Sequence, residues 1–366
     1  MNTPPPEHGT AFRGALTGLL GIGTYLPSRQ VTNEMICERI DSSDDWIRSR
    51  SGIRVRYWAE PEETVEFMAA TAAERALEHA GIAATEVGCV IVSTVSHLHQ
   101  FPSLAAGVAH RIGAAAPGAF DISAGCAGFC YGLSLASDMV TVGSARYVLV
   151  IAVERLSDLL DREDRDTAFL FGDGAGAAVV GPCDRPGVGP VVWGSDGSHK
   201  ETIRQSHSWA ALRDAPAPDW PVITMDGREV FRWAAYQLGP VAEQALERAG
   251  VTVRDLDSFV PHQANARITD ELVKGLGIPD HVAVARSIGI HGNTSAVSIP
   301  LAIQELLASG QARPGGLALL LSFGTGLVWA GQVVRLPPAP AGPPLPATTA
   351  PTPPTPPTAP TKENRS

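Results

Sequence analysis

The sequence predicts a protein of the α/β class, built from two related halves that each contain a sheet covered by helices. Two observations lead to this prediction. Short, almost wholly apolar runs alternate along the chain with alanine-rich stretches of helical spacing, and one helix–strand unit occurs twice. Strands that are apolar on both faces are typical of parallel sheets with helices on each side.

Four apolar runs predict buried parallel strands. These runs are VGCVIVSTV (87–95), ARYVLVIAVE (145–154), GAAVVG (176–181) and LALLLSF (317–323). Residues 64–81 and 230–250 have the spacing of amphipathic helices. Each of these two stretches ends on a glycine, Gly81 or Gly250, which is a common helix terminator.

An internal repeat relates the two parts of the chain. Residues 76–93 align with residues 245–262, with ALEHAG in the first copy and ALERAG in the second. FGDG (171–174) is echoed by FGTG (323–326). Such a long period excludes a solenoid. A chance similarity of one unit is the alternative, but we predict two related halves that meet near residue 183, with a cleft where groups from both can meet.

The two ends of the chain differ in composition from the middle. The last 30 residues hold 12 of the 30 prolines, interleaved with Thr and Ala, a composition that cannot bury apolar surface. We therefore predict a flexible N-terminal extension (1–14), a first half (15–183), a second half (184–336) and a Pro/Thr-rich disordered tail (337–366).

Composition excludes several classes of protein. The 366 residues are 44% hydrophobic and carry a net charge of −10, which argues against a disordered chain, a coiled coil and a general binder of nucleic acid or anionic membranes. The five cysteines are dispersed and form no C-x-x-C, so neither a disulfide framework nor a zinc site is expected. His97 and His99 alone do not make a metal site. No long apolar run and no signal peptide are recognisable, and a cytoplasmic protein is expected.

Cys126 is the first candidate for chemistry. It follows an apolar strand end and precedes A-G-F-C-Y-G-L, which has helical spacing, so we predict a tight turn with its sulfur at a helix N-terminus. There the helix dipole favours the thiolate. A cysteine among small apolar residues is more often inert packing, and that interpretation stays open on this evidence.

Two further polar residues stand at predicted strand or loop ends. His262 follows the apolar run that ends at Pro261, where chemistry is common in α/β sheets, although it could merely cap a helix. Asn293 lies in H-G-N-T-S-A before an apolar helix and could cap that helix or present its amide to a carbonyl. The G-T-G at 324–326 breaks a strand and could offer a backbone N–H to an oxyanion.

Taken together, G-C-A-G-F, P-H-Q-A-N and G-N-T-S-A resemble, in this order, β-ketoacyl-[acyl-carrier-protein] synthase III of the thiolase superfamily. The similarity runs from about residue 17 to 336 and includes GIGTYLP (21–27), DDWIRSRSGI (44–53) and FGDGAGAAVV (171–180). The stretches C-A-G-F-C-Y-G-L and ERLSDL look most like the actinobacterial branch. The resemblance implies a thiolase-like five-layered αβαβα sandwich from two duplicated halves, and a homodimer.

The resemblance also implies roles for matching residues. Cys126 would take an acyl group from a short acyl-CoA, and His262 and Asn293 would bind the thioester carbonyl of malonyl-acyl carrier protein (malonyl-ACP) during decarboxylating condensation. The backbone N–H groups of Cys126, Thr325 and Gly326 would hold an oxyanion. Acyl-CoA and malonyl-ACP are substrates, and no metal or redox cofactor is expected.

Binding residues follow from the same resemblance and form three sets. The family pattern matches Trp46, Arg50 and Arg165 for CoA, Phe101, Phe171 and Phe323 for the acyl pocket, and Arg232, Arg267 and Lys274 for docking the acidic carrier protein. Phe101 would reach across a dimer. Arginine and tryptophan suit the phosphates and adenine of CoA.

Two other functions remain open from the sequence. An acyltransferase could pass the acyl group from Cys126 to an alcohol or amine in a natural-product pathway. A non-catalytic partner subunit would be expected to lose its nucleophile, and the intact Cys126 disfavours it.

Overall fold

The computed structural model describes residues 15–214 and 219–340. The predicted N-terminal extension (1–14) and most of the predicted tail lie outside the described residues. Within the described residues, the strands are β1 (Thr17–Tyr25), β2 (Arg29–Thr32), β3 (Val55–Trp58), β4 (Val87–Ser93), β5 (Gly118–Ile122), β6 (Tyr147–Glu154), β7 (Gly174–Pro182), β8 (Val192–Ser195), β9 (Ile203–Gln205), β10 (Ile223–Met225), β11 (Ser258–Pro261), β12 (Ala283–Val284), β13 (Leu317–Gly324) and β14 (Val328–Arg335). The α-helices there are α1 (Asn33–Cys37), α2 (Asp44–Ser51), α3 (Val65–Ala80), α4 (Leu104–Arg111), α5 (Gly128–Val142), α6 (Trp209–Asp214), α7 (Gly227–Ala249), α8 (Ala266–Leu276), α9 (Ile288–His291) and α10 (Ser298–Ala308).

Two five-stranded sheets form the framework of the molecule. The first has the order β1-β7-β6-β4-β5 and the second the order β12-β11-β13-β14-β8. The first sheet is built from residues 17–182 and the second from residues 192–335. The predicted internal repeat corresponds to the same unit in both sheets, α3 with β4 and α7 with β11.

The layers follow the predicted αβαβα order. Helices α3 and α4 cover the outer face of the first sheet, and α7 and α8 cover the outer face of the second. Between the sheets lie α5 and α10, whose apolar side chains pack with both sheets in one core. The thiolase-like sandwich expected from the sequence is confirmed.

The apolar runs form the strands that were predicted, with one error of direction. β6 is buried along its whole length, and β4 is parallel to both β5 and β6. The run at 176–181 was predicted as a parallel strand, and this is wrong, because β7 is antiparallel to both β1 and β6. Helices on either side bury an antiparallel central strand as completely as a parallel one, so apolar content alone does not report direction.

Local capping sets the ends of the repeated helices. Thr64 begins α3 by accepting a hydrogen bond from the Phe67 N–H at 3.1 Å, and Asp226 begins α7 in the same way. Gly81 and Gly250 end the two helices with φ of +66° and +68°, where glycine avoids a Cβ clash. None of the described helices is both long and apolar enough to cross a bilayer.

Candidate active site

Cys126 lies in a tight turn between β5 and the buried helix α5. A single 3₁₀ turn spans Gly125–Ala127, and α5 begins two residues after Cys126. Gly125 has φ +48°, a left-handed conformation that glycine adopts readily. Gly128 packs so closely on Ser93 that any Cβ at that position would overlap the Ser93 hydroxyl. The strand-to-helix turn predicted around Cys126 is therefore present, and it depends on these glycines.

The protonation of Cys126 is set mainly by burial. Burial raises the pKa of the Cys126 thiol to about 12, more than the Ser295 hydroxyl and the backbone N–H of the turn lower it. A low dielectric disfavours the thiolate because the charge loses its hydration. The thiolate expected from the sequence is therefore not the resting form, and Cys126 is a neutral thiol near pH 7.

His262 is held by its backbone and by one ring nitrogen. It follows β11, and its N–H donates to the Leu321 carbonyl at 2.7 Å. The ring Nδ1 lies 2.7 Å from the Ser298 Oγ, which already accepts a hydrogen bond from the Gln263 N–H at 3.3 Å. A serine oxygen can accept two hydrogen bonds, but the Ser298 O–H has no other acceptor among the described residues. We therefore assign Ser298 as the donor to Nδ1 and the imidazole proton to Nε2.

The His262 ring is neutral and is packed against an aromatic side chain. Burial lowers the pKa of His262 to about 3, so the ring carries no charge at neutral pH. The ring of Phe323 meets it edge to face with centroids 5.4 Å apart. His262 begins no helix, since Asn265 caps α8, and the helix-capping interpretation is wrong for this histidine.

Asn293 is buried and presents its amide N–H groups rather than its oxygen. The backbone is fixed by hydrogen bonds to Leu170 and Gly172, at 2.8 and 3.0 Å. The side-chain Oδ1 accepts a hydrogen bond from the Ser295 N–H at 2.9 Å. Since the oxygen is used in this way, the Nδ2 hydrogens are the groups that Asn293 offers to a ligand.

The three residues line one cavity although they come from three distant segments of the chain. A cavity of about 910 Å³ contains Cys126, His262 and Asn293 in its wall, with Phe171 and Phe323 beside them. Phe171 forms an isolated parallel bridge with Asn293, which joins the segment before β7 to the loop before α10. A thiol and two neutral N–H donors therefore face a common space.

A second cavity meets the first at Cys126. It has a volume of about 640 Å³ and is lined in part by Val95, Ile122, Leu156 and Leu159. Cys126 and Phe171 border both cavities. The nucleophile candidate thus stands between a partly apolar cavity and the cavity that holds His262 and Asn293.

The residues expected to bind CoA gather at the first cavity. Trp46, Arg50 and Arg165 all line it. The Arg165 guanidinium lies 4.7 Å from the centre of the Trp46 ring, and the Arg50 guanidinium lies 5.7 Å from it. Arg165 is also held by the Asp41 carbonyl, to which its Nε donates at 2.7 Å. This arrangement places two cations against one aromatic ring.

The strand break at 324–326 touches the Cys126 turn. A Cβ added to Gly324 would stand 2.5 Å from the Cys126 backbone nitrogen, and one added to Gly125 would stand 3.0 Å from the Thr325 nitrogen. These two nitrogens therefore lie on adjoining segments. At Gly326 the nearest atoms to an added Cβ belong to Val328, so this glycine does not pack on the turn in the same way.

The residues expected at the carrier-protein surface lie in two different places, and one residue expected at the acyl pocket lies outside it. Arg267 and Lys274 are exposed on α8, and Arg267 reaches the first cavity. Arg232 lines a different groove and is paired with Glu229. Phe101 is 81% exposed and lines neither cavity of its own chain.

Sequence reasoning missed three residues of this site. Ser298 lies against His262, Ser295 donates its N–H to Asn293 and lines the second cavity with Cys126, and Glu154 is a fully buried carboxyl group at the end of β6. Glu154 stands at the end of an otherwise apolar run, ARYVLVIAVE, and a charged residue in that place was the available signal.

Sequence profiles of one family match two segments of the chain. Residues 246–336 match the C-terminal part of 3-oxoacyl-[acyl-carrier-protein (ACP)] synthase III. Residues 120–197 match another profile of 3-oxoacyl-[acyl-carrier-protein (ACP)] synthase III. The two segments contain Cys126, His262 and Asn293.

Whole-chain similarities point to the same family. The chain is 57% identical to beta-ketoacyl-[acyl-carrier-protein] synthase III 1 of Streptomyces coelicolor over 329 residues, 87% of this chain and 96% of the relative. It is 49% identical to the synthase III of Mycobacteroides abscessus, covering 88% of this chain and 96% of the relative. Among solved structures, the priming β-ketosynthase of the R1128 polyketide pathway superposes with a TM-score of 0.88 at 49% identity. The match covers 92% of this chain and all of the other. The synthase III of Aquifex aeolicus superposes with a TM-score of 0.81 at 38% identity, covering 87% of this chain and 99% of the other. The chain therefore belongs to the 3-oxoacyl-[acyl-carrier-protein] synthase III family of condensing enzymes.

Proposed function

We propose that the chain joins a short acyl group from acyl-CoA to malonyl-ACP, releasing CO₂ and CoA and forming 3-oxoacyl-ACP. This reaction would begin the synthesis of a fatty acid or polyketide chain. The observation that carries the proposal is the convergence of Cys126, His262 and Asn293 on one cavity. A nucleophile is needed for the first half of the reaction, and preplaced N–H donors are needed for the second.

The first half is transfer of the acyl group to Cys126. The sulfur attacks the thioester carbonyl, a new carbon–sulfur bond forms, and the bond to the CoA sulfur breaks. The carbonyl oxygen carries negative charge in between, and the backbone N–H groups of Cys126, Thr325 and Gly326 are our candidates to hold it. The close packing of Gly125 on the Thr325 nitrogen and of Gly324 on the Cys126 nitrogen supports the first two. Gly326 rests on the family pattern alone.

The second half is decarboxylation of the malonyl group. The thioester carbonyl would accept hydrogen bonds from His262 Nε2–H and from the Asn293 amide. When the bond to the carboxylate breaks, CO₂ leaves, and its electron pair passes into an enolate whose oxygen these two donors stabilise. The enolate carbon then attacks the acyl group on Cys126, and the Cys126 sulfur leaves and takes up a proton. Two neutral donors suit this step because they stabilise the enolate oxygen by hydrogen bonds without transferring a proton to it.

Substrates are proposed to enter over the cationic side of the first cavity. Trp46 would stack on the CoA adenine while Arg50 and Arg165 bind its phosphates, and their contacts with one another support this. Arg267 and Lys274 on α8, with Arg232 in the neighbouring groove, would attract the acidic carrier protein. No metal or redox cofactor is needed for either half of the reaction.

A homodimer is part of the proposal. β5 is an edge strand of the first sheet, and an unpaired edge invites pairing with another chain. Around it Leu98, Phe101 and Phe120 are exposed, at 39%, 81% and 37%. Such large apolar side chains are typical of a surface that a partner covers. Phe101 would then limit the acyl cavity of the second protomer. Equilibrium sedimentation tests the dimer, and Phe101→Asp is expected to weaken it.

We further propose that the chain has two structural halves, 15–183 and 184–336. Each sheet lies wholly on one side of Cys183 in the sequence, which supports this division. The described cysteines are unpaired, which supports the cytoplasm as the compartment.

The reaction is tested with purified protein, radiolabelled malonyl-ACP and a series of short acyl-CoA esters. We expect CO₂ release, a 3-oxoacyl product and, without malonyl-ACP, an acyl adduct on the peptide that contains Cys126. Cys126→Ser should lose the thioester adduct and the product. Cys183→Ser is the matched control, since Cys183 is a partly exposed thiol outside both cavities. An acyl adduct without CO₂ release, from every ester, would favour the acyltransferase alternative.

A further inference from the structure

The hairpin formed by β9 and β10 contributes to the walls of both cavities. Ile203 and Arg204 line the two cavities together with Cys126, while Ile223 borders only the second and Met225 only the first. The two strands form a sheet of their own, so each has one edge without a strand partner. The backbone groups on these open edges need hydrogen-bond partners from elsewhere in the fold or from solvent.

The carbonyl group of Ile203 points away from β10, toward the open edge of β9. Ile203 lies opposite Met225 in the antiparallel register, and the next pair along the hairpin is hydrogen-bonded, with the Asp226 N–H donating to the Thr202 carbonyl at 2.9 Å. Bonded and non-bonded pairs alternate along an antiparallel ladder, so Ile203 belongs to a non-bonded pair. A donor to its carbonyl must therefore come from outside the hairpin.

The side chain of Thr325 supplies this donor and joins the hairpin to the Cys126 turn. Thr325 lies in the break between β13 and β14, and its Oγ1 donates to the Ile203 carbonyl at 2.7 Å. Its methyl group packs on the opposite partner, since a Cβ added to Gly125 would stand 2.5 Å from the Thr325 Cγ2. A β-branched side chain with both branches engaged is held in one rotamer.

The backbone beside Thr325 has few restraints of its own. Leu327 is fixed, because it exchanges both backbone hydrogen bonds with Asp196, at 2.7 and 3.0 Å. Outside the strand ladders, by contrast, neither Thr325 nor Gly326 makes a backbone–backbone hydrogen bond among the described residues. Gly326 has φ +139°, a conformation that only the lack of a Cβ makes accessible. The Thr325 N–H is thus free to receive a ligand, and the side chain is what holds it in place.

We infer that the Thr325 hydroxyl is a positioning group for acyl transfer, which fixes the Thr325 backbone N–H as an oxyanion donor by binding the Ile203 carbonyl. This inference rests on the proposed acyl transfer to Cys126. As the sulfur bonds to the thioester carbon, the carbonyl oxygen gains negative charge, which it loses when the bond to CoA breaks. A donor that is fixed before this charge appears stabilises it without reorganisation. The hydroxyl itself takes no part in the bond changes, because its proton is engaged with Ile203.

The test is the pre-steady-state rate of Cys126 acylation by acetyl-CoA, measured by mass spectrometry in Thr325→Ala and Thr325→Ser. Thr325→Ala should acylate about tenfold more slowly with an unchanged KM, because a loosely held donor stabilises the oxyanion less well. Thr325→Ser keeps the hydroxyl and should stay within about threefold of the unmodified protein. The release of CO₂ from malonyl-ACP by acyl-enzyme loaded over a long incubation should change by less than about threefold in both variants, since other donors serve that step.

Infrared spectroscopy of the acyl-enzyme reads the donor directly. A hydrogen bond from a backbone N–H weakens the thioester C=O bond and lowers its stretching frequency. In acetyl-Cys126 carrying ¹³C at the carbonyl, Thr325→Ala should therefore shift the band to higher wavenumber, while Thr325→Ser should leave it in place. Thr141→Ala is the matched control, because it removes another threonine hydroxyl that donates to a distant carbonyl, that of Ala15 at 3.4 Å, outside both cavities.

A second variant without the hydroxyl keeps the test decisive. Thr325→Val retains a branched side chain and should behave as Thr325→Ala does. The inference is overturned if either variant folds and shows the acylation rate and carbonyl band of the unmodified protein. Equal slowing of Thr325→Ser and Thr325→Ala also overturns it, because the effect would then belong to the methyl group packed on Gly125. Absence of any Cys126 adduct in the unmodified protein would instead overturn the proposed function, and this inference with it.

Discussion

The Ser298 hydroxyl lies 2.7 Å from Nδ1 of His262 and selects the tautomer of that ring. Ser298 is the first residue of α10, while His262 follows β11, so the contact joins the helical layer between the sheets to the second sheet. The Ser298 oxygen also accepts a hydrogen bond from the Gln263 N–H, and its own proton has no other acceptor than Nδ1 among the described residues. The ring nitrogen that remains, Nε2, is then a hydrogen-bond donor.

Ser298→Ala is expected to slow condensation about fivefold, because one hydrogen bond that favours the Nε2–H tautomer, worth roughly 1 kcal/mol, is lost. The rate of Cys126 acylation should stay unchanged. Single-turnover CO₂ release and adduct formation measure the two steps separately. Ser309→Ala at the end of the same helix is the control and should affect neither step. An equal slowing of both steps by Ser298→Ala would contradict a role restricted to His262.

Asn293→Ala is expected to lower decarboxylation by about 100-fold or more, since an amide donor to the enolate is removed, while acylation of Cys126 changes little. Asn293→Asp is the more informative variant, because its oxygen can still accept from the Ser295 N–H but it offers no amide hydrogens. The same assays apply. Wild-type CO₂ release by Asn293→Asp would show that the donors are unnecessary, and loss of acylation in both variants would refute the division between the two halves.

Trp46→Ala and Arg267→Glu should separate the two substrates. Removing the aromatic ring that contacts Arg50 and Arg165 should raise the KM for acyl-CoA about tenfold or more and leave the KM for malonyl-ACP unchanged. Reversing the charge on α8 should raise the KM for malonyl-ACP, most strongly at low salt. Each variant serves as the control for the other in steady-state kinetics. If both variants raise both KM values, the assignment of separate binding surfaces is wrong.

Glu154→Gln should change how stability depends on pH. The folded state raises the pKa of Glu154 from 4.5 to about 7, so the stabilisation from its bound proton is complete below pH 4.5 and is lost as the pH rises through about 7. The glutamine cannot ionise, and the free energy of unfolding of the variant should gain roughly 3 kcal/mol over the unmodified protein between pH 4.5 and 8. Urea unfolding at a series of pH values measures the difference.

The matched control is Asp173→Asn. Burial raises the pKa of Asp173 from 3.8 to about 6, so the corresponding gain should be complete at a lower pH than for Glu154→Gln. Stability curves of Glu154→Gln and the unmodified protein that run parallel from pH 4.5 to 8 would mean that Glu154 does not titrate in this range.

The sequence by itself determined four of the strands, two of the helices, the internal repeat and the family. The hydrophobic runs at β4, β6 and β13 are long enough to be recognised locally, because a strand buried on both faces needs apolar residues at every position. The segments around Cys126, His262 and Asn293 are each contiguous, and their order along the chain indicated the chemistry.

Only the tertiary structure decided the direction of β7 and the environment of the site. Strand direction depends on which neighbours pair with a strand, and composition does not encode that pairing. Desolvation raises the pKa of the Cys126 thiol to about 12, and the fold brings Cys126, His262 and Asn293, from distant segments, to one cavity. Protonation depends on local dielectric and on contacts across the fold, so no short stretch of sequence could specify it.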